Sequence, residues 1–156
     1  SIIQSNNLCY TTFTYDRSSL KGLPPDDYIE VVPIDRPVYF VKSEIRKSLL
    51  SELLTDWLQM RKDIRSRMKT ASEDEKVLLD KQQLAIKCVC NSVYGFTGVG
   101  NGMLSCIEVA ATVTAIGRQM LLSTKRYIEE EWRDWRRFRE RFAVIGPAES
   151  VGWSIN

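Results

Sequence analysis

Apolar residues recur at helical spacing in three long stretches, and short β-branched runs lie between prolines upstream of them. From Ser43 to Lys69, residues Ile45, Leu49, Leu50, Leu53, Leu54, Trp57, Leu58, Ile64 and Met68 fall at intervals that predict a first long helix. Ser43 stands where an N-cap would, although Arg46 occupies the position a capping box gives to Glu. Thr70 to Asp74 breaks the pattern, and Ser72 with Glu75 is a capping-box signature that starts a second helix. Two long helices joined by so few residues must lie antiparallel. The second runs through KQQLAIKCVCNSVYG into Gly95 and Gly98, with Phe96 to Asn101 read as a loop. A third helix is predicted from Met103 to Trp132, its core stripe made of Val109, Val113, Ile116, Met120 and Leu121. It continues through Glu129 to Phe142, where Ile128, Trp132, Trp135, Phe138 and Phe142 form an aromatic stripe among five arginines.

Ahead of the helices, Ser1 to Thr12 reads as a short helical end and a turn marked by Asn6 and Asn7. Pro24 and Pro25 bar helix in the Gly22–Asp27 loop. Tyr28 to Val32 and Val38 to Val41 form a hairpin signal, with Pro33, Asp35, Arg36 and Pro37 at its turn. The class is therefore α+β and mostly helical: a two-helix hairpin, a further long helix and a small β-hairpin.

Composition narrows the chemistry. At 156 residues the chain can bury one sizeable core, and a net charge of +2 does not by itself declare nucleic-acid binding. There is no histidine, which excludes histidine-based triads and imidazole acid–base chemistry. Cys9, Cys88, Cys90 and Cys106 form no CxxC pair and read as reduced, packed thiols. The start lacks the pattern of a signal peptide, and begins abruptly inside an apolar run, as a piece of something larger would. The longest weakly charged run, Met103 to Leu122, contains Glu108 and Arg118, so no membrane span is expected.

Lys87, Asn91 and Tyr94 recur at offsets of four and three and share one helical face. A cation, an amide and a ring in a row suit a nucleoside triphosphate, and Gly95 and Gly98 permit close backbone approach. Arg61 and Arg65 share a face of the preceding helix, which Lys62 and Arg67 do not. Across the hairpin, Arg61 and Lys87 are offset by roughly 8 Å, so Arg61, Arg65 and Lys87 can grip one polyphosphate. The other reading is a solvated basic face laced with i,i+4 salt bridges.

The spelling goes further. KCVCNSVYGFTG resembles the K-x-x-x-N-S-x-Y-G motif of family B DNA polymerases in its herpesvirus form. SIIQSNNLCYT resembles the segment that follows motif A there, which would put the motif A aspartate outside this sequence. DWLQMRKDIRSR and DEKVLLDKQQLAIK continue the likeness. NGMLSCIEVAATVTAIGRQMLLSTKRYI is similar to the palm helix of alphaherpesvirus polymerases, with Ser105 at their usual proline. The resemblance implies a palm edge with its β-hairpin over 1–42, a fingers hairpin over 43–98 and a palm helix over 99–142, within an incomplete polymerase palm. It implies that Arg61, Arg65, Lys87 and Asn91 contact dNTP phosphates. Lys87 would also act catalytically, protonating the departing pyrophosphate. Tyr94 would close over the nascent base pair, with Gly95 and Gly98 against the DNA.

The likeness fails in the 143–156 tail. VIGPAESV stands where the family has V-I-Y-G-D-T-D-S-V, with Pro147 and Glu149 in place of its two aspartates, so Glu149 is at most a degenerate remnant of a metal ligand. The family uses two Mg²⁺ ions held by carboxylates, and this chain alone is expected not to extend a primer. The implied partners are dNTP, a DNA primer–template and a viral processivity factor bound through parts outside this chain. The implied setting is the host nucleus. A different class of function is a non-enzymatic helical module that binds nucleic acid or a protein partner through Arg133, Arg136 and Arg137.

Overall fold

The computed structural model describes residues 1–133 and 135–141. The expected tail, with Phe142, Pro147 and Glu149, lies outside the described residues, as do the side chains of Trp135 and Phe138. The chain divides into a unit from Ser1 to Ala115 and a second that begins at Ile116.

The first unit opens with α1 (Ile2–Ser5), closed by a capping box between Ser1 and Gln4. The turn predicted at Asn6 and Asn7 is present, and Asn7 takes the left-handed conformation at φ 53°. Three strands follow: β1 (Phe13–Thr14), β2 (Tyr28–Val31) and β3 (Val38–Val41). The expected hairpin of β2 and β3 pairs antiparallel, Ile29 opposite Phe40. β1 adds to the other edge with Phe13 also opposite Phe40, giving the order β1-β3-β2. As the central strand, β3 buries Val38, Tyr39 and Phe40 in succession instead of alternating. Phe13 packs on Phe40 at 5.9 Å between ring centroids, and Tyr28 meets Tyr39 edge-on at the same distance.

Asn7 is the junction between these parts. Its Nδ2 donates to the carbonyls of Val41 and Arg46, both at 2.8 Å, and its Oδ1 accepts from Ser48 N at 3.0 Å. This sets where the first long helix begins. α2 spans Leu49–Arg67 with Ser48 as N-cap, accepting from Ser51 N at 3.0 Å, so the expected start at Ser43 is corrected by five residues. Residues 42–46 close their own turn, with Ile45 N and Arg46 N both on the Lys42 carbonyl. The Arg46 carbonyl is held by Asn7.

α3 (Glu73–Thr97) carries the predicted Ser72–Glu75 capping box and packs beside α2 as a helical hairpin. Leu50, Leu54 and Leu79 are buried along it. α3 runs through Gly95 and ends two residues into the expected loop. Thr97 is fully buried, its Oγ1 on the Tyr94 carbonyl at 2.9 Å and its own carbonyl accepting from Cys106 N at 2.9 Å. Gly95 is therefore helical and Gly98 caps at φ −86°, ψ −5°. Neither uses the turn freedom expected of it.

α4 spans Ile107–Glu131, starting four residues later than expected because 98–105 folds into turns such as Gly102 N on Val99 O at 2.9 Å. Of the expected core stripe, Val109 is buried and Val113 and Ile116 are half-buried, whereas Met120 and Leu121 are 59% and 70% exposed. The buried turn lies in the first unit; beyond it apolar spacing is not matched by cover. Helix does not continue unbroken to Phe142. α4 stops at Glu131 and α5 (Trp135–Arg141) begins anew. The Trp132 ring meets Tyr127 edge-on at 6.3 Å, and Arg137 reaches Glu131 across the break at 3.7 Å.

Candidate functional site

The hairpin of α2 and α3 presents the basic residues singled out above. Arg61, on α2, donates from Nε to Gln83 Oε1 on α3 at 3.0 Å. Gln83 in turn donates from Nε2 to Asp80 at 2.9 Å. On the flank of α2 that faces α1 lies a cleft of about 400 Å³, lined by Gln4, Thr55, Leu58, Gln59, Arg61, Lys62 and Arg65. Gln4 Nε2 reaches across it to Thr55 Oγ1 at 2.9 Å.

Arg61 and Arg65 therefore share one cleft. Lys62 joins them, although its sequence position is about 100° around the helix from Arg61. A long lysine stem covers that angle easily. The lining holds three cations and no carboxylate. The nearest acid along the helix, Asp63, is engaged by Gln59 Nε2 at 2.8 Å. Among the described residues, salt bridges are formed by Lys76, Lys125 and Arg137, and none by Arg61, Lys62, Arg65 or Lys87. The i,i+4 salt bridges of the other reading are thus not formed on this face among the described residues, and the exposed Lys62 and Arg65 contribute to a local excess of positive charge suited to an anion.

Lys87 and Asn91 stand exposed on α3, outside the lining of that cleft. Gln83, Lys87 and Asn91 follow one another at intervals of four, so the Arg61–Gln83 bond fixes the register between the arginines and this face. Lys87 lies one turn beyond Gln83, ~6 Å along the axis, somewhat closer to the level of Arg61 than the spacing alone implied. Tyr94 is 43% exposed, and its hydroxyl shares a hydrogen bond with Thr114 Oγ1 on α4 at 3.1 Å. Gly95 has open space where a Cβ would stand, while a Cβ on Gly98 would touch Ala110 Cβ at an ordinary 3.5 Å. Sequence reasoning missed Gln4, Lys62 and Gln83. Of these, Gln83 carried a signal, since it precedes Lys87 by one helical turn.

A second polar group lies apart from the cleft. The Tyr15 hydroxyl donates to Glu108, and the Arg36 guanidinium sits 3.6 Å over the Tyr15 ring. Burial opposes ionisation of Glu108, but the Tyr15 hydroxyl and its other hydrogen bonds outweigh it and hold the carboxyl below its usual range. Burial, with the Glu108 charge, pushes Tyr15 up. Among the described residues no three His, Cys, Asp or Glu side chains gather into a set that could hold a metal ion. None of the described helices is long and apolar enough to cross a membrane.

Comparison with known proteins fits this geometry. The chain is 62% identical over 153 residues to the DNA polymerase catalytic subunit of Psittacid herpesvirus 1, an overlap of 97% of this chain and 14% of that one. It is 57% identical over 145 residues to the DNA polymerase catalytic subunit of Varicella-zoster virus, covering 93% of this chain and 12% of the relative. The chain thus spans about one-seventh of the length of the curated relatives it matches. Among solved structures, the family B DNA polymerase of Pyrobaculum calidifontis superposes with a TM-score of 0.66 at 26% identity, over 83% of this chain and 16% of that chain. The sequence profile described as DNA polymerase family B matches residues 1–150, and the chain belongs to that family.

Proposed function

We propose that this chain is the nucleotide-selecting part of a viral DNA polymerase, with residues 43–98 as the fingers and α4 (Ile107–Glu131) as a palm helix. The observation that carries the reading is the cleft on α2. It gathers Arg61, Lys62 and Arg65 without a carboxylate, and the Arg61–Gln83 bond ties it to the face that continues to Lys87 and Asn91. Guanidinium forks match phosphate oxygens two at a time, and lysine adds a compact charge. In this reading Arg61 and Arg65 hold the phosphates of a dNTP. Lys87 approaches along α3 and supplies the proton to the departing pyrophosphate. Asn91 hydrogen-bonds the same tail, and the exposed ring of Tyr94 meets the nascent base pair. Gly95 and Gly98 let the DNA approach the backbone.

A DNA polymerase acts on DNA and nucleotides, and polymerases of this family generally depend on metal ions. Mg²⁺ is the ion proposed to accompany the triphosphate; the described residues offer it no ligand set. The proposed setting is the host nucleus, with a viral processivity factor docked on parts of the polymerase other than these residues.

The test is a segment exchange. Residues of this chain replace the matching segment of the Psittacid herpesvirus 1 DNA polymerase catalytic subunit, and primer extension is measured across a dNTP series. Lys87→Ala and Asn91→Ala are expected to depress dNTP use at least tenfold, the loss that follows from removing a charge-assisted contact to the reacting tail, on the order of 1.4 kcal/mol or more. Unchanged dNTP dependence in both, with a loss instead in Arg133→Ala and Arg136→Ala, would move the function to the terminal arginines.

A further inference from the structure

A glutamine amide has a donor end and an acceptor end, and only the acceptor end can receive the Nε–H of an arginine. Gln83 turns its acceptor end to Arg61, with Nε to Oε1 at 3.0 Å. The choice of end is made by Asp80, one turn earlier on α3, whose carboxylate takes the Gln83 Nε2 at 2.9 Å. A carboxylate can only accept. Asp80 therefore fixes the amide, and the amide fixes the guanidinium. Arg61 is half-buried where this happens and reaches the cleft beside Lys62 and Arg65. With its Nε–H occupied on the α3 side, the two terminal nitrogens of Arg61 remain as a fork for an incoming anion.

We propose that Asp80 and Gln83 are positioning residues for the triphosphate, holding the Arg61 fork in its binding orientation before the nucleotide arrives. Neither residue touches phosphate. Their effect is preorganisation: a flexible side chain that would otherwise be ordered on binding is ordered beforehand. The inference rests on the nucleotide reading above and names the two residues that tune it.

The test uses the full 156-residue chain, with inorganic tripolyphosphate and a dNTP as calorimetric probes. The ¹⁵N resonance of the Arg61 Nε–H reports the bond directly, and the thermal unfolding of each variant is recorded. Gln83→Ala is expected to weaken tripolyphosphate binding by about tenfold, as loss of an ordering bond to a charged group implies, and to move the Arg61 Nε–H resonance to that of a free arginine. Asp80→Asn alone lets the amide turn over and gives a smaller loss. The double variant Asp80→Asn with Gln83→Glu rebuilds the relay, because Asn donates to Glu and Glu accepts from Arg61, and it restores both affinity and resonance. A mere clamp between the helices would lower stability in Gln83→Ala and leave affinity unmoved. That result, or a folded double variant that restores neither readout, overturns the inference while the nucleotide site stands. Failure of the unaltered chain to bind either probe removes the site and the inference together.

Discussion

Replacing Asn7 with alanine should cost the first unit roughly 4 kcal/mol, summed from separable parts. The side chain makes three hydrogen bonds, to Val41 O, Arg46 O and Ser48 N, at 2.8, 2.8 and 3.0 Å. A typical hydrogen bond contributes about 1 kcal/mol net, and a buried group left unpaired costs more. Asn7 is 5% exposed, so water does not readily take the vacated places. Its φ of 53° adds about 1 kcal/mol for alanine, because Cβ crowds the following carbonyl in the left-handed region. Domains of this size are stable by only about 5–15 kcal/mol, so the change is a large share. Urea unfolding followed by far-UV circular dichroism measures it, with the slope checked for constancy. Two companions divide the total. Asn7→Gly loses the same bonds without the backbone penalty and should be less damaging than alanine by about 1 kcal/mol. Asn7→Asp keeps an acceptor for Ser48 but turns a carboxylate oxygen toward two carbonyls. Its folded pKa must rise, so its stability should be poorest at neutral pH and recover as pH falls through that raised value. An alanine variant within about 1 kcal/mol of the unaltered chain, or a glycine variant as damaged as alanine, would refute the account.

The other expectations are simpler to state. Gly22→Ala should cost about 1 kcal/mol by backbone strain alone, since φ is +94° and a Cβ there meets nothing within 4 Å; thermal unfolding checks it. Ser72→Ala removes the side-chain half of the capping box, leaving the residue 72 N–H on Glu75, and should lower stability by about 1 kcal/mol, with hydrogen exchange rising first at Glu75. Asp16 is held below its usual range by the Ser18 side chain and backbone N–H and by Ser19. A depressed folded pKa gives stability that is present above the unfolded pKa and lost as pH falls through the folded one, so Asp16→Asn should flatten part of the acid limb below about pH 4; an unaltered limb would contradict this.

Local signals were legible and distant ones were not. The Ser72–Glu75 box lies within one turn of the helix it starts, so the sequence displays it whole. Ser43 and Ser48 look alike as caps, and the decision between them is made by Asn7, which binds Ser48 N from 41 residues away. β1 has only two residues, too few to show a period, and exists because Phe13 and Thr14 find Phe40 and Tyr39. At the site, Arg61 and Arg65 were legible from their spacing, whereas Lys62 enters the cleft through side-chain reach, which angle counting ignores. The partner of Tyr94 is 20 residues on, in another helix. The motif spelling singled out Lys87, Asn91 and Tyr94 but did not show that Lys87 and Asn91 lie outside the cleft that Arg61 and Arg65 share.

The hairpin is fastened at its root. Ser51 donates to Ile3 O, Gln4 to Thr55, and Asn7 holds Ser48, all before α2 is half complete; on α3 the corresponding ties are Tyr94 to Thr114 and Cys106 N to the Thr97 carbonyl. Among the described residues, the hydrogen bonds of Gln59, Arg61, Ser72, Lys76 and Gln83 stay within the hairpin. Such an arrangement is a lever arm carried on a fixed base. Arg65 lies ten residues beyond Thr55, about 15 Å along the axis, so a tilt of about 10° at the root carries it through ~2.5 Å. Because Arg61 is bonded to Gln83, such a tilt would carry the outer turns of both helices together, with their mutual register kept.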